Sequence, residues 1–207
     1  MASAIIHLAI AKELDKVLNV KNKKDYFLGS IAPDIAKQIG ETKQKSHFLY
    51  NTKRDVPNIE LFINKYPNFK YNDFDLGYFI HLYSDKLWFD HFMEELSTYN
   101  SIKLLDGTII NMKDKDITKL IYQDYTNLNI KLIEEYNLDL SLFYEDFIIP
   151  HTTINEIPIN KLNILIDKMG LIIENSKQEK TYTFDIYTIK PFIEDTVNKI
   201  LEELKKY

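Results

Sequence analysis

The chain reads as an all-α protein: one domain spanning residues 1–207, built as a multi-helix bundle with at most a small hairpin near residues 103–112. Three observations predict this. Apolar residues recur at helical spacing along most of the chain, and the longest such segment, in its middle, is too aromatic for a helix facing solvent. Turn chemistry flanked by short β-prone runs is confined to the neighbourhood of Asp106-Gly107. A chain of 207 residues can form one substantial core, and no internal repeat, long linker or low-complexity segment calls for a second.

In chain order, Ile6, Ile10, Leu14, Val17 and Leu18 mark an apolar stripe over residues 4–18, with His7 beside it and directed inward. Residues 25–29 form a short helical piece. Pro33 then pushes Ala32 toward an extended geometry and leaves Asp34 at a turn or helix start. A polar loop at 40–46 delivers His47 and Phe48, and a second loop covers 51–56. A short helix begins near Pro57 and ends before Pro67. The central helix runs from Asn72 or Asp73 to Tyr99, with Leu76, Phe79, Ile80, Leu87, Trp88 and Phe92 inside. Helical periodicity returns over 117–136, 159–175 and 191–204.

Composition excludes several function classes. Hydrophobic residues make up 45% and charged residues 28%, the balance of a globular chain. No apolar run reaches the length of a transmembrane helix, and the first residues gain Lys12, Glu13, Asp15 and Lys16 where an export signal would stay apolar, so a cytoplasmic location is expected. A net charge of −5 argues against general attraction to nucleic acid or anionic membranes. With no cysteine, any metal must be held by nitrogen and oxygen. The abundance of Asn, Lys, Ile and Tyr fits a nucleotide bias in the source genome, so the lysine clusters read as solvated surface.

The chemistry-bearing residues gather early. His81 stands four residues before Asp85 in GYFIHLYSDKLW, so an imidazole and a carboxylate share one face of a helix whose other residues are apolar. Such surroundings do not tolerate either group without a partner. His7, Asp34 and His47 are also set among apolar residues, and a divalent metal is the simplest partner common to all five. Taken singly, each has an ordinary reading: His81 and Asp85 as a buried hydrogen-bonded pair, His7 as a satisfied core histidine, Asp34 as a helix cap, His47 as a loop residue. Asp124 reads as a backbone hydrogen-bond partner or as an acceptor behind a metal ligand, and Tyr50, Tyr78 and Trp88 read as packing residues or pocket walls.

IIHLAIAKEL with His7, LGSIAPD with Asp34, KSHF with His47 and GYFIHLYSDKLW with His81 and Asp85 follow one another over the first 90 or so residues. In that order they resemble the zinc-dependent phospholipase C family, particularly its short bacterial members without a secretion signal. The resemblance implies a helical bundle around a buried metal site and hydrolysis of a small phosphoester or phospholipid-like substrate. It implies that Asp34, His47 and His81 hold one ion, that Asp85 bridges it to a second held by His7, and that Asp34 and Asp85 stand nearest the reaction. One or two zinc ions are expected, with water as nucleophile.

The sequence also departs from the secreted members. They begin with a tryptophan that ligates metal, whereas this chain begins Met1-Ala2; removal of Met1 would leave the new terminus five residues before His7. His91 follows Asp85 by six residues, as a further family ligand does, yet also reads as a surface histidine beside Asp90 and Glu94. No later histidine is followed four residues on by glutamate, since His151 meets Asn155 there, so the ligands of a third ion are missing. A helical phosphohydrolase of the HD type is disfavoured because no His-Asp dipeptide occurs. The alternative from another class is a noncatalytic binding or scaffold protein with a residual structural metal site.

Overall fold

The computed structural model describes residues 2–50 and 56–207, so most of the loop expected at 51–56 lies outside the described residues. Helix α1 (Ala4–Asp15) starts where the Ser3 hydroxyl accepts the Ile6 amide hydrogen, and it buries His7 together with Ile5, Ile6, Ile10 and Leu14. It ends at Asp15, so Val17, counted in the apolar stripe, is turned out and 66% exposed. Helix α2 (Lys23–Gly29) is capped by Asn22, whose side chain accepts the Asp25 amide hydrogen. Ala32 is not extended: it opens a 3₁₀ turn over Ala32–Asp34, with Pro33 in the first turn, where its fixed φ suits helix and its missing amide has no bond to lose. Helix α3 (Ile35–Gln38) follows, then α4 (Ile59–Lys65), capped by Asn58.

Helix α5 (Asp73–Leu87) begins at Asn72, which caps the Asp75 amide, and buries most of its residues. The expected continuous helix to Tyr99 is interrupted. At Trp88–Met93 the backbone widens into a π-helical turn, and only the short α6 (Glu94–Leu96) follows. The wide turn coincides with Trp88 stacking on Phe92 at 4.4 Å, while both rings meet Phe184 and Phe192 edge-on or tilted. The hairpin is present as β1 (Ser101–Lys103) and β2 (Ile109–Asn111), antiparallel with Ile102 opposite Ile110, and Gly107 at φ +86° makes the turn.

Helix α7 (Asp114–Glu135), α8 (Leu162–Glu174) and α9 (Ile186–Leu204) complete the fold. The last begins five residues before Pro191, because Asp185 and Thr188 form a capping box that sets its start. Pro191 is tolerated on an exposed side of that helix. Helix α5 runs through the centre, with α1, α2, α4 and α9 against it, and the buried apolar residues form one connected core. Among the described residues, no helix is long and apolar enough to cross a membrane.

The crossing of α2 and α5 is backbone against backbone. A Cβ at Gly77 would fall on the Tyr26 carbonyl oxygen and one at Gly29 on the carbonyl of Phe74, so only glycine permits this approach at either position. Gly77→Ala is therefore expected to lower the unfolding free energy by about 1–3 kcal/mol, read as a shift of the urea midpoint. A midpoint like that of the unaltered protein would mean that the two helices can part without cost.

Candidate metal centre

Five of the residues singled out in the sequence meet in space. His81 and Asp85, one turn apart on α5, face His7 from α1, while Asp34 from the 3₁₀ turn and His47 from the 40–50 loop close in beside them. Two overlapping groups result, His7 with His81 and Asp85, and Asp34 with His47 and His81; in each, candidate ligand atoms lie within 4.8 Å of one another. The His7 and His81 rings stack at 3.8 Å.

The hydrogen-bond network assigns each imidazole the same tautomer. His81 Nδ1 lies 2.9 Å from the Ser30 carbonyl oxygen, which can only accept, so the proton is on Nδ1. Ser84 donates its one proton to the carbonyl of Ile80 or His81, which leaves its oxygen to accept from His7 Nδ1 at 2.9 Å. Ser46 likewise donates to the Lys43 carbonyl and accepts from His47 Nδ1 at 2.8 Å. All three Nε2 atoms consequently present lone pairs. They converge on one another and on Asp85, and among the described residues His7 Nε2 and Asp85 Oδ2 are buried without a hydrogen-bond partner.

The spacing of these acceptors suits a cation. Ligands about 2.0–2.1 Å from a tetrahedral zinc lie roughly 3.3–3.4 Å from each other. His47 Nε2 is 3.2 Å from His81 Nε2, 3.6 Å from Asp85 Oδ2 and 3.7 Å from Asp34 Oδ1, and His81 Nε2 is 3.7 Å from Asp85 Oδ2. On the other side of the carboxylate, Asp85 Oδ1 lies 3.3 Å from His7 Nε2 and accepts the Ala2 amide hydrogen at 3.0 Å. The residues present therefore fit a divalent ion, and Asp85 offers one oxygen beside His7 and the other beside His47 and His81.

Charge states agree with that use. Burial, reinforced by His7, lowers the His81 pKa to about 4 against the pull of Asp85 and Asp34. Burial, Lys43 and His81 together hold His47 well below the ordinary imidazole value. For Asp85 burial opposes ionisation, but His7 and His81 outweigh it and keep the carboxyl well below its usual range. Burial is likewise overcome at Asp34, by Lys43 first and then His81 and His47. At neutral pH His47 and His81 are thus neutral and Asp34 and Asp85 ionised, the forms that bind metal.

The surrounding chain holds this geometry. Asp34 makes no side-chain cap to α3 and instead points into the cluster, paired with Lys43. His47 sits in a turn secured by its amide bond to the Lys43 carbonyl at 2.9 Å and by the Tyr78 hydroxyl donating to the Ser46 carbonyl. Phe48 takes a left-handed φ of 54°, a strained conformation that buries its ring against Phe62 and Tyr66.

His91 is not brought to the cluster. It lies exposed on the π-helical turn, lining a separate cavity with Phe92 and Glu95, and His151 is exposed on a loop. Asp124 is a structural acceptor, taking the amides of Tyr182 and Thr183 and the Thr183 hydroxyl, which ties the approach to α9 onto α7. Tyr50 is exposed and Tyr78 buried. Trp88 lines a cavity of about 710 Å³ with Tyr122, Tyr125, Asp90, Glu94 and Asp114. None of the five converging residues lines that cavity; the phenol of Tyr125, on its wall, is kept protonated by burial, Tyr122 and the charges of Asp85 and Asp34. Sequence reading missed Ser30, Ser46, Ser84 and Lys43; only Ser84, a small polar residue beside Asp85 in an aromatic helix, carried a local signal.

With this geometry in place, comparison with known proteins finds that residues 5–138 match the family model described as zinc dependent phospholipase C. No curated protein matches the chain, and no solved structure does.

Ser84→Ala should weaken zinc binding about 10–100-fold by releasing His7, with the circular dichroism of the helices unchanged; equal affinity would show that His7 does not reach the ion. The depressed histidines also set a pH dependence. A group whose folded pKa lies below its unfolded value of about 6.5 takes up a proton on unfolding, so stability is complete above that pH and falls as pH approaches about 4. Metal-free protein is expected to lose up to about 1.4 kcal/mol per pH unit per histidine in that window. Equal urea midpoints at pH 7 and pH 5 would contradict it.

Proposed function

The chain belongs to the zinc-dependent phospholipase C family, and from that premise we propose that it is a metal-dependent phosphoester hydrolase, phospholipase C-like, using one or two zinc ions. The observation that carries this reading is the convergence of three Nε2 lone pairs on a buried carboxylate at the spacing of a tetrahedral ion. Asp34, His47, His81 and Asp85 Oδ2 would hold the first ion, and His7 with Asp85 Oδ1 the second. Zinc so held supplies an acidified water and neutralises charge on a phosphoryl oxygen.

The chain's own residues provide the remainder. Of the five converging residues Asp34 is the most exposed, at 15% of its side chain, and it stays ionised, so its carboxylate is placed to take a proton from an incoming water. Asp85 has no such access and acts as the bridge. Ser30, Ser46 and Ser84 keep the three imidazoles in the ligand tautomer. The cavity beside Trp88 and Tyr125 has the aromatic walls and volume to take the organic part of the ester.

A second reading, a noncatalytic scaffold stabilised by a structural ion, is favoured by the complete burial of His7, His81 and Asp85. The two separate experimentally. For the hydrolase, His81→Ala and Asp85→Ala each lose most bound zinc by elemental analysis and all cleavage of a chromogenic phosphodiester, while His91→Ala keeps both. Zinc content unchanged in His81→Ala and Asp85→Ala would sink the site assignment. Full zinc occupancy with no cleavage of any phosphoester, together with a large drop in melting temperature on chelation, would establish the scaffold.

A further inference from the structure

We propose that the β1–β2 hairpin and the start of α9 form a surface that docks on an electrically neutral lipid bilayer, with aliphatic side chains in the acyl layer and tyrosines at headgroup level. The inference goes beyond the hydrolase reading and stands apart from it, because none of the five converging residues belongs to this surface. Residues 105–111 are exposed without interruption, so the hairpin tip stands out from the body. On it Leu105 is 40% and Ile109 67% exposed, and Tyr187, in the first turn of α9, is 81% exposed. Single exposed apolar residues need no explanation, whereas a cluster of them marks a contact surface.

These residues share one side of the molecule. Lys103 lies directly across the ladder from Ile109, so the two side chains leave the same face of the hairpin. Lys103 and Leu105 from the hairpin and Tyr187 from α9 line one cavity of about 580 Å³, together with Phe92, Phe184 and Phe192. The Leu105 amide donates to the Tyr182 carbonyl at 2.9 Å, which ties the hairpin to the segment leading into α9. The exposed aliphatic residues thus stand beside an opening with aromatic walls, into which an acyl chain can pass.

Charge and extent identify the occupant. The only charged residues from 101 to 111 are Lys103 and Asp106, which cancel, so the hairpin lacks the basic cluster that anionic lipid recruits and does not share the acidic excess of the chain. Leucine and isoleucine at the tip, with Tyr182 and Tyr187 beside them, match the division between acyl layer and headgroup, where tyrosine rings settle. A protein partner engages about 20–30 residues a side, far more than this patch supplies. The three-residue β2 also offers little edge for a further strand.

The test floats full-length protein, zinc-loaded and after chelation, through a density gradient with vesicles of dioleoylphosphatidylcholine, so that binding is also read where no lipid is cleaved. The unaltered protein should rise with the vesicles in both states. Ile109→Glu and Tyr187→Ser should each partition roughly 10-fold more weakly, the effect of withdrawing one apolar side chain, with zinc content and helical circular dichroism unchanged. Val17→Glu, at an equally exposed position outside these segments, should float like the unaltered protein. Failure of the unaltered protein to float would overturn the inference, as would undiminished flotation of Ile109→Glu and Tyr187→Ser or an equal loss in Val17→Glu. Binding only to vesicles containing phosphatidylserine would overturn the neutral surface. A lipid-free dimer that Ile109→Glu dissociates, with no vesicle binding, would overturn it in favour of a second copy of the chain. Cleavage of a soluble phosphodiester, measured on the same samples, tests the hydrolase reading separately.

Discussion

Three imidazole lone pairs and a carboxylate pressed together away from water are the constraint on which the structure turns. Each nitrogen has its proton drawn to the far side of the ring by a serine or a carbonyl, so nothing inside the cluster can donate to anything else. Left alone, such a group costs desolvation without return. A divalent cation removes the conflict, because every atom that faces inward is a donor of electrons to it. The metal-free protein meets the cost partly through Lys43, which neutralises Asp34, and through the Ala2 amide on Asp85.

The rest of the fold can be understood as what holds those groups in place. Gly29 and Gly77 let α2 and α5 touch at the backbone, and this contact brings the Ser30 carbonyl within reach of His81, one turn beyond Gly77. Tyr78, the next residue, turns its hydroxyl to the Ser46 carbonyl and so fixes the loop that carries His47. The strain at Phe48 is offset by burying its ring among Phe62 and Tyr66. Helix packing, loop anchoring and tautomer choice are therefore parts of one arrangement centred on α5.

Much of this was legible beforehand. Helical periodicity placed the long elements, and the four-residue step from His81 to Asp85 placed two polar groups on one buried face because a helix repeats every 3.6 residues. Other expectations failed for local reasons. Ala32 entered a 3₁₀ turn where Pro33 fits a first helical turn, α9 began at the Asp185 capping box and not at Pro191, and the π turn at Trp88 interrupted a helix that periodicity alone would continue. His91 rides on that turn and faces solvent, so spacing from Asp85 did not suffice to bring it inward.

By itself the sequence determined residue chemistry and local period: helices, a short Asp-Gly hairpin, no thiol ligands, and five isolated polar residues that apolar neighbours would oblige to find partners. Only the tertiary structure decided which of them meet, which ring nitrogen each presents, and that Asp85 turns one oxygen to His7 and the other to His47 and His81. The physical reason is that a hydrogen bond from His81 to the Ser30 carbonyl or an ion pair between Lys43 and Asp34 depends on distances of a few ångströms between segments, and those distances are set by how whole helices pack, not by any spacing along the chain.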